Sequence, residues 1–395
     1  MRLTDAEYAG LVGEIVAAVD ADHAEMVALS RDIHAHPEIM FEERYAAAAL
    51  TAALAERGFE VQRAAGGLET AFVSLSGPNA GPTIAFIAEY DALPGIGHAC
   101  GHNLIATSAL AAGFALNRVI DRLPGQIAVI GTPAEEGGGG KVKMRDAGVF
   151  AGIDAVMMTH MAMETVTRPV FLAVASIEIA YHGKASHAAA APEAGINALD
   201  AIIQFFNGMN ALRQHVRADA RMHGIILNGG QAANIVPEYA SARFIVRARD
   251  TVYVRELARK ARACAEAAAL ATGARLEFTT AEPLEHVASN GVMADLYREK
   301  LRGLGWSSTE IQQDGPASTD MGALSHAVPA IHPLLQIADF PVAWHTPEFR
   351  EAAWSDRGQE GMRVAAKAMA LTALDLLVKP GLLDAVKAEF AQLPR

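Results

Sequence analysis

Cysteine and long apolar segments are both scarce in this chain. Only two cysteines occur among 395 residues, which excludes a disulfide framework of the kind that holds small secreted domains together. The most apolar long stretch, LIATSALAAGFAL at 104–116, is too short to span a bilayer. The N-terminus carries early acidic residues and lacks the basic start and apolar block of a signal peptide. These absences predict a cytoplasmic protein with reduced thiols and no membrane partner.

An excess of positive charge is also missing. Lys and Arg number 33 against 45 Asp and Glu, so the net charge is −12. Nucleic-acid binding proteins present a basic face, and the charge therefore argues against a nucleic-acid partner. Apolar residues make up 51% and charged residues 20% of the chain, which is ordinary for a globular protein. A length of 395 residues indicates two or three domains.

Short, uniformly apolar segments alternate with helical patterns over much of the chain. Apolar runs begin TIAFIAEYDALP, QIAVIGTPAEEGGGG and DAVMMTHM, and runs of this kind are typical of parallel strands covered on both faces. Residues 173–283 instead follow a β-α-β-β-α-β order, which is the ferredoxin-like pattern. The sequence predicts an α/β domain with a mostly parallel sheet (1–172 and 284–395) and an inserted α+β domain (173–283).

Sulfur, imidazole and carboxylate groups follow the predicted strands. GHACGHN at 97–103 is by itself equally compatible with a metal site, a nucleophile or a buried thiol. Three successive strands, however, place such groups at their carboxyl ends, where α/β sheets bind ligands. The candidate metal ligands are Cys100, His102, Glu136, His160 and His345. This donor set suits zinc, manganese, cobalt or nickel, and five ligands predict two ions sharing a bridging ligand.

The neighbouring acids Glu135 and Glu136 suggest two roles. Adjacent carboxylates on an extended turn point in different directions, so one can hold metal while the other faces the substrate as a general base. The glycines at 137–140 allow the chain to turn sharply. Asn103 is predicted as the N-cap of the next helix, and His98 as a supporting residue outside the ligand set.

A set of motifs carries a resemblance to a known family. The segments RDIHAHPEIMFEE, AEYDALPGIGHACGHN, TPAEEGGGGK, GKASHAAAAPEAGINALDA, NIVPEYA, STDMGALSHAVPAIHP and HTPEF resemble, in order, those of the co-catalytic metallopeptidase and amidohydrolase family. That family includes aminoacylases, hippurate hydrolases and p-aminobenzoyl-glutamate hydrolases. The chain looks most similar to the branch of the p-aminobenzoyl-glutamate hydrolase B subunit and β-alanyl-lysine-type dipeptidases. Asn103 and the segment ASTDM depart from Asp and Gly-Ser-Glu-Asp-Phe in many members and argue against a hippurate-type substrate.

The resemblance implies specific roles for individual residues. It implies a phosphorylase/hydrolase-like core, and two divalent ions, with zinc or manganese ahead of cobalt or nickel, on the five candidate ligands. Glu135 would be the general base and acid. His187 in the inserted lid would reach the active site of a partner protomer and polarise the scissile carbonyl, and Asn234 would contact the substrate. The lid would form the interface of a homodimer.

The sequence thus predicts a metal-dependent amidohydrolase that cleaves the amide of an N-acyl amino acid or small dipeptide. Hydroxide on the metal would attack the carbonyl, while Glu135 moves the proton to the leaving amine. An alternative hypothesis is a non-catalytic or paired subunit that holds such a ligand between core and lid. A third hypothesis makes Cys100 a nucleophile with a histidine base.

Overall fold

The computed structural model describes residues 3–311 and 317–393. The helices in these ranges are α1 Asp5–Ala35, α2 Arg44–Glu56, α3 His102–Asn117, α4 Gly140–Asp146, α5 Ala198–Leu212, α6 Thr251–Thr272, α7 Gly291–Gly303, α8 Met321–Ser325, α9 Pro347–Trp354, α10 Asp356–Val378 and α11 Leu382–Phe390. The strands are β1 Glu60–Arg63, β2 Phe72–Ser76, β3 Thr83–Ala88, β4 Gln126–Gly131, β5 Ala155–Met157, β6 His160–Ala162, β7 Val166–Arg168, β8 Ala173–His182, β9 Arg221–Asn228, β10 Tyr239–Ala248, β11 Arg275–Thr280, β12 Thr309–Ile311, β13 Ala330–Ile331 and β14 Leu334–Gln336.

The chain forms two compact units. The first contains Met1–Val170, Val287–Asp314 and Ala323–Arg395, and the second contains Phe171–His286 and Gly315–Gly322. The second unit is thus inserted within the sequence of the first and also takes a short later segment.

The main sheet of the first unit has six strands in the order β1-β2-β4-β3-β5-β13. Pairing is parallel from β4 through β3 and β5 to β13, and antiparallel between β1, β2 and β4. The prediction of a mostly parallel sheet is confirmed. The antiparallel edge was not predicted, and neither was a four-stranded sheet in the order β12-β7-β14-β6.

Helix α3 is the buried helix that carries the start of the candidate site. Every residue from His102 to Leu116 is buried, because α3 packs against β3 as well as against α1 and α10. A helix that is apolar all round requires such an environment. The first turn of α3 therefore places His102 in the interior of the first unit.

The prediction of Asn103 as N-cap is wrong. The cap is Gly101, whose φ of 80° is in the left-handed region, and the helix already includes His102 and Asn103. Glycine adopts this backbone readily. The buried Asn103 side chain instead donates to Ser30 Oγ on α1 at 2.9 Å, so it ties two helices together.

The second unit has the predicted ferredoxin-like organisation. Its strands form an antiparallel sheet in the order β11-β8-β10-β9, and α5 and α6 pack on it. Burial alternates along β8, as expected for a sheet with helices on one face. Asn197 and Asp250 cap α5 and α6 with their side chains.

None of the helices in the described ranges combines the length and the apolar character that crossing a bilayer would require.

The glycine turn after β4 allows a prediction about stability. A Cβ added to Gly140 would lie 1.8 Å from the Pro133 carbonyl oxygen, whereas one added to Gly137 would have Met40 Sδ as its nearest neighbour at 3.5 Å. We expect Gly140→Ala to lower the free energy of unfolding by about 1–3 kcal/mol or more, because the backbone must shift. Gly137→Ala should change it by less than about 0.5 kcal/mol. Urea denaturation measures both, and equal effects would contradict the packing described.

Candidate metal centre

The predicted ligands come from separate elements of the first unit. Cys100 lies just before α3, His102 is the first residue of that helix, and Glu136 lies in the turn after β4. His160 begins β6, and His345 precedes α9. Because β3, β4 and β5 are parallel, the segments that follow them emerge at one edge of the sheet.

All five side chains come together in two clusters. Cys100, His102 and His160 form one, and Cys100, Glu136 and His345 form the other. Within each cluster the potential ligand atoms lie within 4.8 Å of one another. The two clusters share Cys100, which gives the thiol the position expected of a bridging group.

The distances between donors suit metal coordination. Cys100 Sγ is 3.6 Å from His160 Nε2, and the carboxylate of Glu136 lies 3.9 Å from His102 Nε2 and 3.3 Å from His345 Nε2 through its two oxygens. Bonds of about 2.0–2.3 Å place tetrahedral ligands about 3.3–3.8 Å apart. His102 Nε2 and Glu136 Oε1 are buried without a hydrogen-bond partner among the described residues. Two buried polar atoms that have no hydrogen-bond partner are suited to bind a divalent ion.

Contacts behind the ligands orient them. His102 Nδ1 lies 2.8 Å from the Asp91 carbonyl oxygen and 3.1 Å from its carboxylate. The other Asp91 carboxylate oxygen accepts from the Glu136 backbone N–H at 2.9 Å. His160 Nδ1 contacts the Met161 carbonyl oxygen at 2.7 Å. A carbonyl oxygen can only accept, so both histidines carry a proton on Nδ1 and present Nε2 to the clusters.

Two residues of the site have unusual backbone conformations. Ala134, which precedes the acidic pair, has a φ of 61°, and His345 has a φ of 63°. This region is unfavourable for residues other than glycine and is commonly found at functional sites. The His345 backbone N–H donates to the Ala99 carbonyl at 2.9 Å, which holds the residue against the loop that contains Cys100.

The protonation of the cluster follows from burial and charge. Burial lowers the pKa of His160 to about 4 and raises the pKa of the Cys100 thiol. Burial also disfavours the charged form of His102, but the neighbouring Asp91 carboxylate outweighs it and raises this pKa well above its usual value. The hydrogen bond to Glu136 raises the pKa of His345. The carboxylates of Asp91 and Glu136 thus favour positive charge at the place where the potential metal ligands converge.

Glu135 lies beside the clusters. It is partly exposed, and one of its carboxylate oxygens is within 4.8 Å of potential ligand atoms of His102 and Glu136. A partly exposed carboxylate at this distance can contact both a bound substrate and a water molecule held at the clusters.

His187 and Asn234 lie in the second unit and close to one another. The Asn234 carbonyl oxygen accepts from the Ala188 backbone N–H at 3.0 Å, and both side chains belong to exposed residues. His187 Nδ1 accepts from the backbone N–H groups of Ala189 and Ala190 at 3.3 and 3.2 Å. The neutral ring therefore carries its proton on Nε2 and can donate it to a ligand.

Sequence reasoning missed four buried polar residues around the clusters. They are Glu89, Asp91, Lys141 and His332. The sequence offered one signal for three of them. Glu89 and Asp91 follow a uniformly apolar strand, and Lys141 follows the glycine run. Burial of a charged residue cannot be seen in one sequence. His98 is also buried and belongs to none of the clusters found among the described residues.

The chain is similar to known hydrolases along most of its length. Residues 83–369 match peptidase family M20/M25/M40. The Xaa-Arg dipeptidase of Mus musculus is 39% identical over 94% of this chain and 90% of its own length. The B subunit of the p-aminobenzoyl-glutamate hydrolase of Escherichia coli (strain K12) is 28% identical over 95% of this chain and 94% of its own length.

A solved structure has the same fold. A dinuclear metal-binding peptidase of the M20 family from Bacillus subtilis superposes with a TM-score of 0.75 at 24% identity, covering 91% of this chain and 99% of the other. The predicted family and fold are confirmed, as is hydrolysis of amide or peptide bonds with divalent metal. The chain belongs to peptidase family M20/M25/M40.

Proposed function

We propose that this chain is a dipeptidase or aminoacylase that holds two divalent ions, zinc or manganese, on Cys100, His102, Glu136, His160 and His345. The observation that carries the proposal is the pair of three-residue clusters that share Cys100. A shared thiolate would bridge the ions, with His102 and His160 on one and Glu136 and His345 on the other. His102 Nε2 and Glu136 Oε1, one atom from each cluster, are buried without a hydrogen-bond partner among the described residues, which supports the binding of cations here.

Glu135 is the proposed proton carrier. When bound, the ions would polarise the scissile carbonyl and make water more acidic. Glu135 accepts a proton from the water whose oxygen attacks the carbonyl carbon. It then donates that proton to the amide nitrogen as the C–N bond breaks, and the leaving group departs as a neutral amine. The neighbouring Glu136 cannot share this role, because both of its oxygens face histidines at 3.9 and 3.3 Å.

His187 and Asn234 are proposed to bind the substrate. The proton on His187 Nε2 would be donated to the developing oxyanion of the carbonyl, in the active site of a partner protomer. Asn234 would hold the substrate through its side-chain amide. These roles make the second unit, over about residues 173–283, the lid and dimerisation domain, and the residues 1–172 and 284–395 the catalytic domain.

The proposed substrates are small dipeptides with a basic C-terminal residue, followed by N-acyl amino acids. The 39% identity to an Xaa-Arg dipeptidase supports basic dipeptides as better substrates than p-aminobenzoyl-glutamate. The latter is the substrate in the name of the 28% identical relative. Manganese- or zinc-loaded protein can be assayed against Xaa-Arg dipeptides, β-alanyl-lysine, N-acetylcysteine and p-aminobenzoyl-glutamate. Higher kcat/KM for an acyl amino acid than for any basic dipeptide would contradict the order.

A paired subunit is the second candidate, since the Escherichia coli relative is one subunit of its hydrolase. Hydrolysis by the purified chain alone would exclude it. The nucleophile hypothesis for Cys100 has less support, because burial raises the pKa of its thiol and reactive thiols have a lowered one. Both cysteines are free, which agrees with the proposed cytoplasmic location.

Replacing the proton carrier should separate catalysis from metal binding. We expect Glu135→Gln to lower kcat by about 10²–10⁴-fold, since an amide cannot take up the proton, while the metal content stays at that of the wild type. Steady-state kinetics and elemental analysis of the same preparation measure the two quantities. Near-normal kcat in this variant would refute the role of Glu135.

The two cysteines provide a matched pair for testing the metal centre. Cys100→Ser should lower the metal content of the purified protein below two ions per chain, because a thiolate ligand shared by both clusters is lost. Cys264→Ser should bind metal like the wild type, since Cys264 lies on α6 of the second unit. Full metal content in Cys100→Ser would contradict the shared ligand.

Strand β9 is the proposed dimer interface. It lies at an edge of the second unit's sheet, and Ile225, Ile226 and Leu227 on it are 61%, 46% and 51% exposed. An exposed apolar edge strand is suited to pairing with a second copy. The homodimer would cover this surface.

Charge on the exposed edge should therefore separate the protomers. We expect the wild type to sediment as a dimer and Leu227→Asp to raise the dimer Kd by at least about tenfold, because a carboxylate would be buried in the interface. Leu270→Asp is the control, since Leu270 is 87% exposed on α6 of the same unit. Analytical ultracentrifugation measures both. A similar Kd for the two variants would exclude this interface.

A further inference from the structure

A buried ion pair lies next to the two clusters. Glu89 directly follows β3, and Lys141 is the second residue of α4. Both side chains have no exposed surface, and Lys141 Nζ contacts Glu89 Oε1. A buried pair of this kind contributes little net stability because both charges lose their water. Its position beside the clusters calls for a different role.

The second oxygen of Glu89 faces a proposed metal ligand. Glu89 Oε2 is 3.7 Å from His102 Nε2, close to the 3.6 Å between Cys100 Sγ and His160 Nε2. Neither Glu89 Oε2 nor His102 Nε2 has a hydrogen-bond partner among the described residues. His102 Nδ1 already donates its proton to the Asp91 carbonyl oxygen at 2.8 Å, so Nε2 is the ring nitrogen that a metal ion would bind, and Glu89 Oε2 faces it. A cation between them would satisfy both.

We propose that Glu89 is a sixth ligand of the metal centre and binds through Oε2 the same ion as His102. Lys141 is then a positioning residue that holds Oε1. With Oε1 engaged, Glu89 offers one oxygen rather than two, which leaves room on the ion for water or substrate. This inference rests on the metal centre proposed above and adds to it a ligand and a charge-balancing cation.

The charges of the surrounding groups support the arrangement. The carboxylates of Glu89, Asp91 and Glu136 converge with the Cys100 thiol in a buried region. Lys141 neutralises one of these negative charges, and divalent ions at the clusters would stabilise the others. A carboxylate oxygen of Glu89 also lies within 4.8 Å of one on Glu135, so this ion would lie close to the proposed proton carrier.

The test measures metal binding rather than activity. Metal-free full-length protein is titrated with Mn²⁺ by isothermal titration calorimetry, and its melting temperature is recorded without metal. The variants are Glu89→Gln, Lys141→Met and the double variant that carries both. Asp22→Asn is the control, because Asp22 is also a buried carboxylate paired with arginine in the same unit, with Asp22 Oδ2 3.0 Å from Arg57.

We expect two Mn²⁺ ions per chain in the wild type and in Asp22→Asn. In Glu89→Gln, one of the two should bind at least about 100-fold more weakly, because loss of an outer contact alone costs about 10–100-fold. The double variant removes both charges together and should recover the melting temperature of the metal-free wild type. Its binding of one ion should nevertheless stay weak.

The outcomes distinguish this inference from the proposed function. If the pair is only structural, the single variants melt earlier, the double variant recovers, and every variant binds two ions as tightly as the wild type. That result overturns the sixth ligand and leaves the five-ligand centre intact. If the wild type binds no Mn²⁺, the proposed function and this inference both fail. If Glu89→Gln does not fold, the Mn²⁺ affinity of the double variant decides whether Glu89 is a ligand.

Discussion

Asp91 makes the contact on which the geometry of the site depends. One carboxylate oxygen holds His102 Nδ1 at 3.1 Å, and the other accepts from the Glu136 backbone at 2.9 Å. The first interaction orients an imidazole at the start of α3, and the second anchors the turn after β4. Two proposed ligands from distant segments are thereby aligned by one buried side chain, as outer contacts align the ligands of metal sites.

The burial of that contact is a consequence of the packing of α3. Because β3, α1 and α10 pack around α3, the first turn of this helix lies in the interior. His102 is in that turn and is therefore buried. Gly101 makes this possible through its left-handed backbone. The low dielectric around the site strengthens each interaction between charges, so the carboxylates there require cations. Lys141 is one such cation, and metal ions are the others proposed.

Much of the candidate site was predictable because its proposed ligands are chemically distinctive. Cysteine, histidine and paired glutamates at the ends of three apolar segments pointed to one edge of a parallel sheet, and the clusters lie there. Glu89 and Asp91 occupy the same edge but were not assigned, because a single sequence does not show that a carboxylate is buried. Asn103 was misassigned as a cap, because its side chain is used in a contact with α1 that local sequence does not reveal.

The sequence alone determined the class of fold, the ferredoxin-like insertion and five of the candidate metal ligands. Each of these depends on local periodicity or on the chemistry of individual side chains. Only the tertiary structure decided that Cys100 belongs to both clusters, that β2 runs antiparallel beside β4, and that Lys141 faces Glu89. These features depend on how segments distant along the chain pack together, and their side-chain distances are set by that packing rather than by sequence spacing.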